Sequence, residues 1–229
     1  MLAWLQGGDP FPPVEQALRN PNGLLCAGAD LSPARLLDAY RHGIFPWYSG
    51  DEPILWWSPD PRMVLFCDEL KVSRSLAKNL RNKGYRVRID SAFRRVLEGC
   101  SGPRRGDGGT WLSEDMRKAY FALHRAGHAH CFETWQGDEL VGGLYGVAVG
   151  RMFYGESMFS RATDASKVAL VALVEGLRAR GLPLIDCQMR TPLLASLGAR
   201  EIPRRAFLRR VASLVNYAEP AGNWRSEED

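Results

Sequence analysis

The sequence predicts an α+β fold built on a mixed or antiparallel sheet, for two reasons. Short segments with an apolar residue at every second position alternate with longer segments in which apolar residues recur at helical spacing, and these patterns are typical of strands and helices. The composition of the 229 residues, 45% apolar and 24% charged, is that of a globular chain with a packed core. It excludes collagen-like, disulfide-scaffold and wholly disordered proteins.

The first 62 residues are predicted to form a small N-terminal α/β domain. Ser32 is a good N-cap and Pro33 suits the first helical position, so we expect a short helix from there to Gly43. An aromatic run broken by turn residues follows, and its last prolines predict a domain boundary near Arg62.

The second predicted domain spans residues 63–229, where strands and helices alternate. The first of its helices is expected to begin at Ser73, and Ser91 and Ser113 are the expected N-caps of the next two. The predicted strands cover 63–67, 85–89, 130–135, 139–149, 152–159 and 183–188. The predicted helices cover 73–82, 91–97, 113–127, 165–180, 192–197 and 203–217.

The net charge of +4 is unevenly distributed along the chain. Eleven basic and two acidic residues lie between Lys71 and Arg105, so this segment carries +9 and the remainder carries −5. Such a basic segment is typical of a nucleic-acid contact, although a solvated charged face is the alternative. The residues expected to contact phosphates are Arg74, Lys78, Arg81, Lys83 and Arg86.

The five cysteines are widely spaced and include no CxxC pair, which argues against a secreted disulfide framework and a zinc ribbon. The first residues lack the pattern of a signal peptide, and no apolar run approaches the roughly 18–20 residues that a membrane span needs. We therefore expect a reduced, cytoplasmic protein without a membrane anchor.

The most informative segment is LIDCQ, residues 184–188. In a regular strand, Asp186 and Gln188 lie on one face and Cys187 on the other, in the core. Two neighbouring polar side chains on a buried strand need hydrogen bonds. They either brace a loop, or Asp186 orients Gln188 so that the amide carbonyl accepts a hydrogen bond from a substrate amine.

A second candidate is Glu156, which lies near the end of a strand among aromatic and sulfur-containing side chains. An acid beside an apolar pocket can bind an amine or acquire an unusual pKa, and the structural alternative is an acid bonded to backbone amides. His124, His128 and His130 have the spacing of metal ligands, but Gly127 is expected to end the helix between the first two. No metal site is predicted.

Two tryptophans, Trp47 and Trp111, are flanked by turn residues instead of helical patterns. Tryptophan is often a core residue, but an exposed one beside a basic segment can stack on a nucleobase. With the basic segment, these residues indicate a single-stranded RNA end, such as the acceptor end of a tRNA.

Several segments together resemble the bacterial leucyl/phenylalanyl-tRNA–protein transferase family. They follow the order expected for that family from about Asn20 to Arg205. The matching segments are NPNGLLCAGADLSPARLLDAYRHGIFPW, ILWWSPDPR, GTW, ELVGGLYGVAVG, GESMFSR, ASKVAL, LIDCQ and SLGAREIPRR.

The resemblance implies a GNAT-like acyltransferase domain, with a mostly antiparallel sheet flanked by helices, after the small N-terminal domain. It also implies transfer of Leu or Phe, and less readily Met, from aminoacyl-tRNA to the α-amine of proteins that begin with Arg or Lys. The product carries an N-degron for protein degradation. No cofactor is required, and we expect a monomer.

The resemblance assigns residues to the expected site. It places the catalytic groups at Asp186, Gln188 and Glu156, and the aromatic residues around the tRNA 3′-adenosine at Trp47 and Trp111. The remaining substrate-binding residues are Tyr120, Leu144, Phe153, Met158 and Leu170. One departure concerns Leu193, because many family members have a histidine in this segment.

Two other functions remain open at this stage. An acyl-CoA-dependent GNAT-type N-acyltransferase would share the fold, but the sequence has no recognisable pyrophosphate loop. A non-enzymatic tRNA-binding module would explain the basic segment and the tryptophans, but it would leave Asp186, Gln188 and Glu156 without a task.

Overall fold

The computed structural model describes residues 2–50, 52–102, 112–217 and Trp224. Its helices, in chain order α1 to α7, are Pro33–Arg41, Arg74–Asn82, Phe93–Cys100, Glu114–Arg125, Ala165–Ala179, Pro192–Ser196 and Arg204–Leu214. Its strands, in chain order β1 to β11, are Ala3–Leu5, Leu24–Gly28, Phe45–Pro46, Leu55–Trp57, Arg62–Phe66, Arg86–Ile89, Ala129–Gln136, Glu139–Val149, Met152–Ser160, Leu184–Asp186 and Arg200–Ile202.

The N-terminal part contains a four-stranded sheet in the order β1-β2-β4-β3, with β1 and β2 parallel. Helix α1 begins as predicted, because the Ser32 side chain accepts a hydrogen bond from the Arg35 amide at 3.3 Å. Trp56 is fully buried and its indole nitrogen donates to the Gly28 carbonyl at 2.9 Å. This tryptophan therefore ties β4 to β2.

The second sheet has seven strands in the order β11-β5-β10-β9-β8-β7-β6. Its one parallel pair among the described strands is β9 and β10, which are connected through helix α5. All other neighbours are antiparallel. The predicted α+β class, with a mixed and mostly antiparallel sheet flanked by helices, is confirmed.

Helices cover both faces of the seven-stranded sheet. Helix α5 packs through Leu173, Val174 and Leu177 on one face. Helices α1, α3 and α4 cover the other, where Tyr40 and Tyr120 belong to a cluster that also includes residues of the N-terminal sheet. The two sheets therefore share a hydrophobic core.

The structure corrects one predicted cap. Helix α3 begins at Phe93, and Ser91 is not its N-cap. The fully buried Glu133 on β7 caps it from a distance, accepting hydrogen bonds from the amides of Ser91 at 2.8 Å and Ala92 at 2.7 Å. The indole nitrogen of Trp135 also donates to Glu133 at 3.1 Å. A carboxylate in this position complements the positive end of the helix.

The division of the chain into domains at Arg62 stays a prediction. In its favour, the strands of one sheet end at Trp57 and those of the other begin at Arg62. Among the described residues, none of the helices combines the length and the apolar character required to span a bilayer.

The buried cap gives a testable prediction about stability. Glu133→Ala leaves the buried indole of Trp135 and the partly buried amides of Ser91 and Ala92 without their acceptor, so we expect the free energy of unfolding to fall by about 3 kcal/mol. Urea denaturation measures this loss, with Glu139→Gln, at an exposed residue of the neighbouring strand, as the matched control. Equal stability of the two variants would contradict the role assigned to Glu133.

Candidate active site

The site begins with a β-bulge in β9. Tyr145 pairs with Ser157 and Gly146 pairs with Gly155, so Glu156 is an extra residue on β9 with no partner on β8. A bulge of this kind changes which face the following side chains occupy. Strict alternation would place Glu156 and Met158 on one face, but the bulge lets them face opposite sides.

The bulge lies where β9 and β10 separate. Their pairing ends at Tyr154 and Asp186, because β10 stops at Asp186 whereas β9 continues to Ser160. A cavity of about 380 Å³ fills the gap between the two strands. Aromatic residues of the N-terminal part and helix α6 complete its wall.

Most of the predicted substrate-binding residues lie at this cavity. Its described lining includes Trp47, Leu144, Glu156, Met158, Leu170 and Gln188. Phe153 is fully buried in the core cluster that contains Leu144, and it is not among the lining residues. Tyr120 is also fully buried and reaches the site through a hydrogen bond to Glu156. Leu193 and Leu194 of α6 make the wall apolar on that side.

Glu156 forms the polar centre of the site. Its carboxylate accepts hydrogen bonds from the hydroxyls of Tyr120 at 2.6 Å and Tyr40 at 2.9 Å. Burial raises the pKa of Glu156 from its usual value near 4.5 to about 7, although the two tyrosine hydrogen bonds favour the ionised form. Glu156 therefore carries a carboxyl group that can exchange a proton near neutral pH.

Asp186 is held in a buried ion pair. The guanidinium of Arg62 donates from Nε to Oδ1 at 2.8 Å and from Nη2 to Oδ2 at 2.6 Å, and both side chains are fully buried. The same guanidinium lies 4.8 Å from the ring centroid of Phe45 and 4.6 Å from that of Phe207. Since both oxygens of Asp186 accept from Arg62, this carboxylate is a structural anchor.

Gln188 follows the anchor in an unusual backbone conformation. The strand alternation expected for Asp186 and Gln188 does not extend to Gln188, because the strand ends at Asp186 and Gln188 has a φ of +55°. The Gln188 amide donates to Asp186 Oδ1 at 2.9 Å, and its side-chain Nε2 donates to Glu156 Oε1 at 3.4 Å. Asp186 thus orients Gln188 through the backbone amide. The side-chain oxygen Oε1 of Gln188 keeps its capacity to accept a hydrogen bond.

Three residues of this arrangement were not identified from the sequence: Arg62, Tyr40 and Phe45. Arg62 offered one signal, a charged residue at the start of a strand that is otherwise apolar. Tyr40 had the periodicity of a core residue, which is also what its burial shows. Nothing local could connect these positions with Asp186 and Glu156, more than 100 residues further along the chain.

Of the predicted RNA-binding residues that the structure describes, Trp47 alone lies at the cavity. Trp47 is 37% exposed at the cavity, with its ring centroid 5.4 Å from that of Trp57. Trp111 lies outside the described residues. The predicted phosphate contacts on α2, its C-terminal end and the edge strand β6 are all exposed: Arg74, Lys78, Arg81, Lys83 and Arg86.

The histidines and cysteines have other surroundings. His130 bonds Asp90 at 2.7 Å, and His124 bonds the Ala129 carbonyl at 2.7 Å. The described part of the chain contains no group of three or more His, Cys, Asp or Glu side chains placed to hold a metal ion. Burial raises the pKa of the Cys187 thiol well above its ordinary value, as expected for a core residue.

An apolar cavity with an acid and an amide at one end, where two parallel strands separate, is typical of the active site of an enzyme. The chain belongs to the leucyl/phenylalanyl-tRNA–protein transferase family. The family model described as leucyl/phenylalanyl-tRNA protein transferase matches residues 64–212, and the model of its N-terminal domain matches residues 29–60.

Full-length relatives agree with this assignment. A leucyl/phenylalanyl-tRNA–protein transferase of Thiobacillus denitrificans is 63% identical over 93% of this chain and 94% of its own length. One of Chromobacterium violaceum is 59% identical over 98% of this chain and 96% of its own. A solved GCN5-related N-acetyltransferase from Kribbella flavida aligns with a TM-score of 0.39 and 10% identity, over 74% of this chain and 60% of that one.

The buried ion pair predicts a large effect of removing one partner. Arg62→Met leaves Asp186 unpaired in the core, and we expect about 3–5 kcal/mol of lost stability. The double variant Arg62→Met/Asp186→Leu removes both charges and should be more stable than the single variant. Urea denaturation compares the two, and a double variant that is as unstable as the single one would contradict this account.

The raised pKa of Glu156 predicts a pH-dependent stability. The folded state binds this proton more tightly than the unfolded state. The stabilisation that protonated Glu156 gives the folded state is therefore complete below about pH 4.5 and is lost as the pH rises through about 7. The free energy of unfolding of the wild type, measured relative to that of Glu156→Gln, should fall across that pH window and stay constant at higher pH. Denaturation at a series of pH values tests this, and a difference that is constant with pH would contradict it.

Proposed function

We propose that this protein transfers Leu or Phe, and less readily Met, from aminoacyl-tRNA to the α-amine of proteins that begin with Arg or Lys. The observation that carries the proposal is the cavity between β9 and β10, with apolar walls and with Gln188 and Glu156 at its polar end. The names of the relatives support an aminoacyl-tRNA donor and a protein acceptor. The new N-terminal residue then acts as an N-degron.

The proposed reaction needs positioning more than activation, because the ester of an aminoacyl-tRNA is already reactive. The nitrogen of the acceptor amine attacks the ester carbonyl, a C–N bond forms, and the C–O bond to the tRNA 3′-oxygen breaks. The amine loses a proton and the departing 3′-oxygen gains one. Holding amine and ester in contact can lower the barrier by several kcal/mol.

Each polar group of the site has a proposed role in these reaction steps. The side-chain oxygen Oε1 of Gln188 accepts a hydrogen bond from the incoming amine. This contact orients the lone pair of the amine nitrogen toward the ester. Glu156, whose pKa is about 7, takes up the amine proton and makes it available to the leaving oxygen. Asp186 is a positioning residue, because it contacts the Gln188 amide while Arg62 occupies both of its oxygens.

The walls of the cavity account for the proposed choice of amino acid. Leu144, Met158 and Leu170 present flexible apolar surfaces to the cavity. The cavity volume of about 380 Å³ accommodates a side chain as large as that of Phe. A hydrophobic pocket discriminates by only about 1–3 kcal/mol per methylene, which agrees with several accepted side chains. Leu193, where many relatives of this family carry a histidine, adds to the apolar wall, so the proposal gives that position no acid–base role.

The RNA is proposed to bind around the mouth of the cavity. Trp47 stacks on the 3′-adenosine together with Trp111, and the basic residues of α2 and β6 contact phosphates. The proposed reaction takes place in the cytoplasm and involves a monomer, without CoA or a metal. All five cysteines are buried, without a disulfide among the described residues, and this supports a reducing location.

The test of this proposal uses charged tRNA and a peptide. Incubation with Phe-tRNA and a peptide that begins with Arg should increase the peptide mass by one Phe residue, whereas a peptide that begins with Asp should be unchanged. Gln188→Ala should lower the single-turnover rate at least about 10²-fold while tRNA affinity is retained. Acetyl transfer from acetyl-CoA, or tRNA binding without peptide-bond formation, would favour one of the two alternative functions.

A further inference from the structure

We propose that the exposed arginines of α7 bind the sugar–phosphate backbone of the tRNA and form a second RNA-binding arm beside the cavity. The residues of this α7 arm are Arg205, Arg209 and Arg210 of the helix, together with Arg200 of the preceding strand β11. The inference rests on the proposed function for the identity of the RNA. It adds contacts beyond those proposed for the basic residues of α2 and β6.

The charge pattern along the chain points to this segment. Between Arg190 and Arg210 there are six arginines and one acid, Glu201, which amounts to +5. The chain outside this segment and the basic segment 71–105 therefore carries −10. The positive charge of the protein is concentrated in two segments, and the acidic remainder surrounds them.

Helix α7 presents part of this charge to solvent. Phe207 and Val211 are buried against the core, so the helix is fixed on its inner side. Arg205 and Arg209 are one helical turn apart and both exposed. Within the described residues, no acidic side chain lies within 4.0 Å of either guanidinium. These two charges are free to meet a ligand.

The other two arginines of the arm are held in place by an aromatic ring. The guanidinium of Arg200 lies 4.4 Å from the ring centroid of Phe66 and that of Arg210 lies 5.1 Å from it. Arg200 also makes a bidentate ion pair with Glu69, at 2.8 and 3.1 Å. Arginines restrained in this way lose less conformational freedom when they bind a phosphate.

Arg200 of the α7 arm lies close to the start of the basic segment 71–105, and helix α6 connects this region with the cavity. Arg200 of the arm is paired with Glu69, two residues before Lys71. The amide of Lys71 donates to the Leu197 carbonyl at 2.9 Å. Leu197 directly follows α6, and Leu193 and Leu194 of that helix line the cavity. Basic residues of both segments therefore meet at α6, beside the position proposed for the aminoacyl ester.

The chemistry of the arm favours RNA backbone over an acidic protein. Guanidinium groups spaced along a helix match the regular charges of a phosphate backbone, and this kind of contact needs no particular base sequence. Helix α6 lines the cavity, so an RNA whose 3′ end enters the cavity comes close to the basic residues beside this helix. An acidic protein partner would have no such link with the cavity.

The experiment removes two charges from the arm and leaves the cavity intact. Arg205→Gln/Arg209→Gln should bind uncharged tRNA roughly tenfold more weakly at low salt, and the slope of log affinity against log salt should become shallower by about 2. The rate of Phe transfer from the minimal donor phenylalanyl-adenosine, which lacks the tRNA body, should be unchanged. The matched control, Arg19→Gln/Arg125→Gln, removes two exposed charges elsewhere.

The outcomes separate the inference from the function on which it rests. Unchanged tRNA affinity and salt slope in the α7 variant would overturn the inference, and so would an equal loss in the control, which would indicate a general effect of net charge. A loss of transfer from phenylalanyl-adenosine would show that the substitutions disturb the cavity, which also contradicts the proposal. Failure of the wild type to transfer Phe from either donor would overturn the proposed function, while the tRNA-binding measurement would still test the arm.

Discussion

The ion pair between Arg62 and Asp186 is the contact on which the geometry of the site depends. It joins the first residue of β5 to the last residue of β10, in full burial. Removing two charges from water is costly, and the bidentate geometry together with the Gln188 amide compensates for it. Because Asp186 is anchored in this way, the chain turns at Gln188 with a left-handed backbone, and the amide side chain reaches Glu156.

The site draws on two elements that are ordinarily irregularities of a sheet. The extra residue on β9 sends Glu156 toward the tyrosines of α1 and α4, while Met158 joins the apolar wall. The early end of β10 opens the space between these two surfaces. Because Tyr40 comes from the N-terminal part of the chain, neither sheet provides the complete site alone.

Much of the second sheet could be predicted from the sequence, because its strands and helices are long enough for periodicity and N-caps to identify them. The N-terminal sheet could not, since its strands have two to five residues and alternate with prolines and glycines. The polar residues Glu156, Asp186 and Gln188 were found locally, but their geometry was not. A bulge shifts the alternation after Gly155, and the Arg62–Asp186 contact joins positions 124 residues apart.

The burial of all five cysteines has a practical consequence for spectroscopy. Burial raises the pKa of the thiols, to about 11 for Cys26 and about 12 for Cys67, so at neutral pH almost none of either is the reactive thiolate. A cysteine introduced on an exposed helix would therefore react with a maleimide dye much faster than these native thiols. Distances between a labelled protein and a labelled RNA become measurable by fluorescence transfer without first removing the native cysteines.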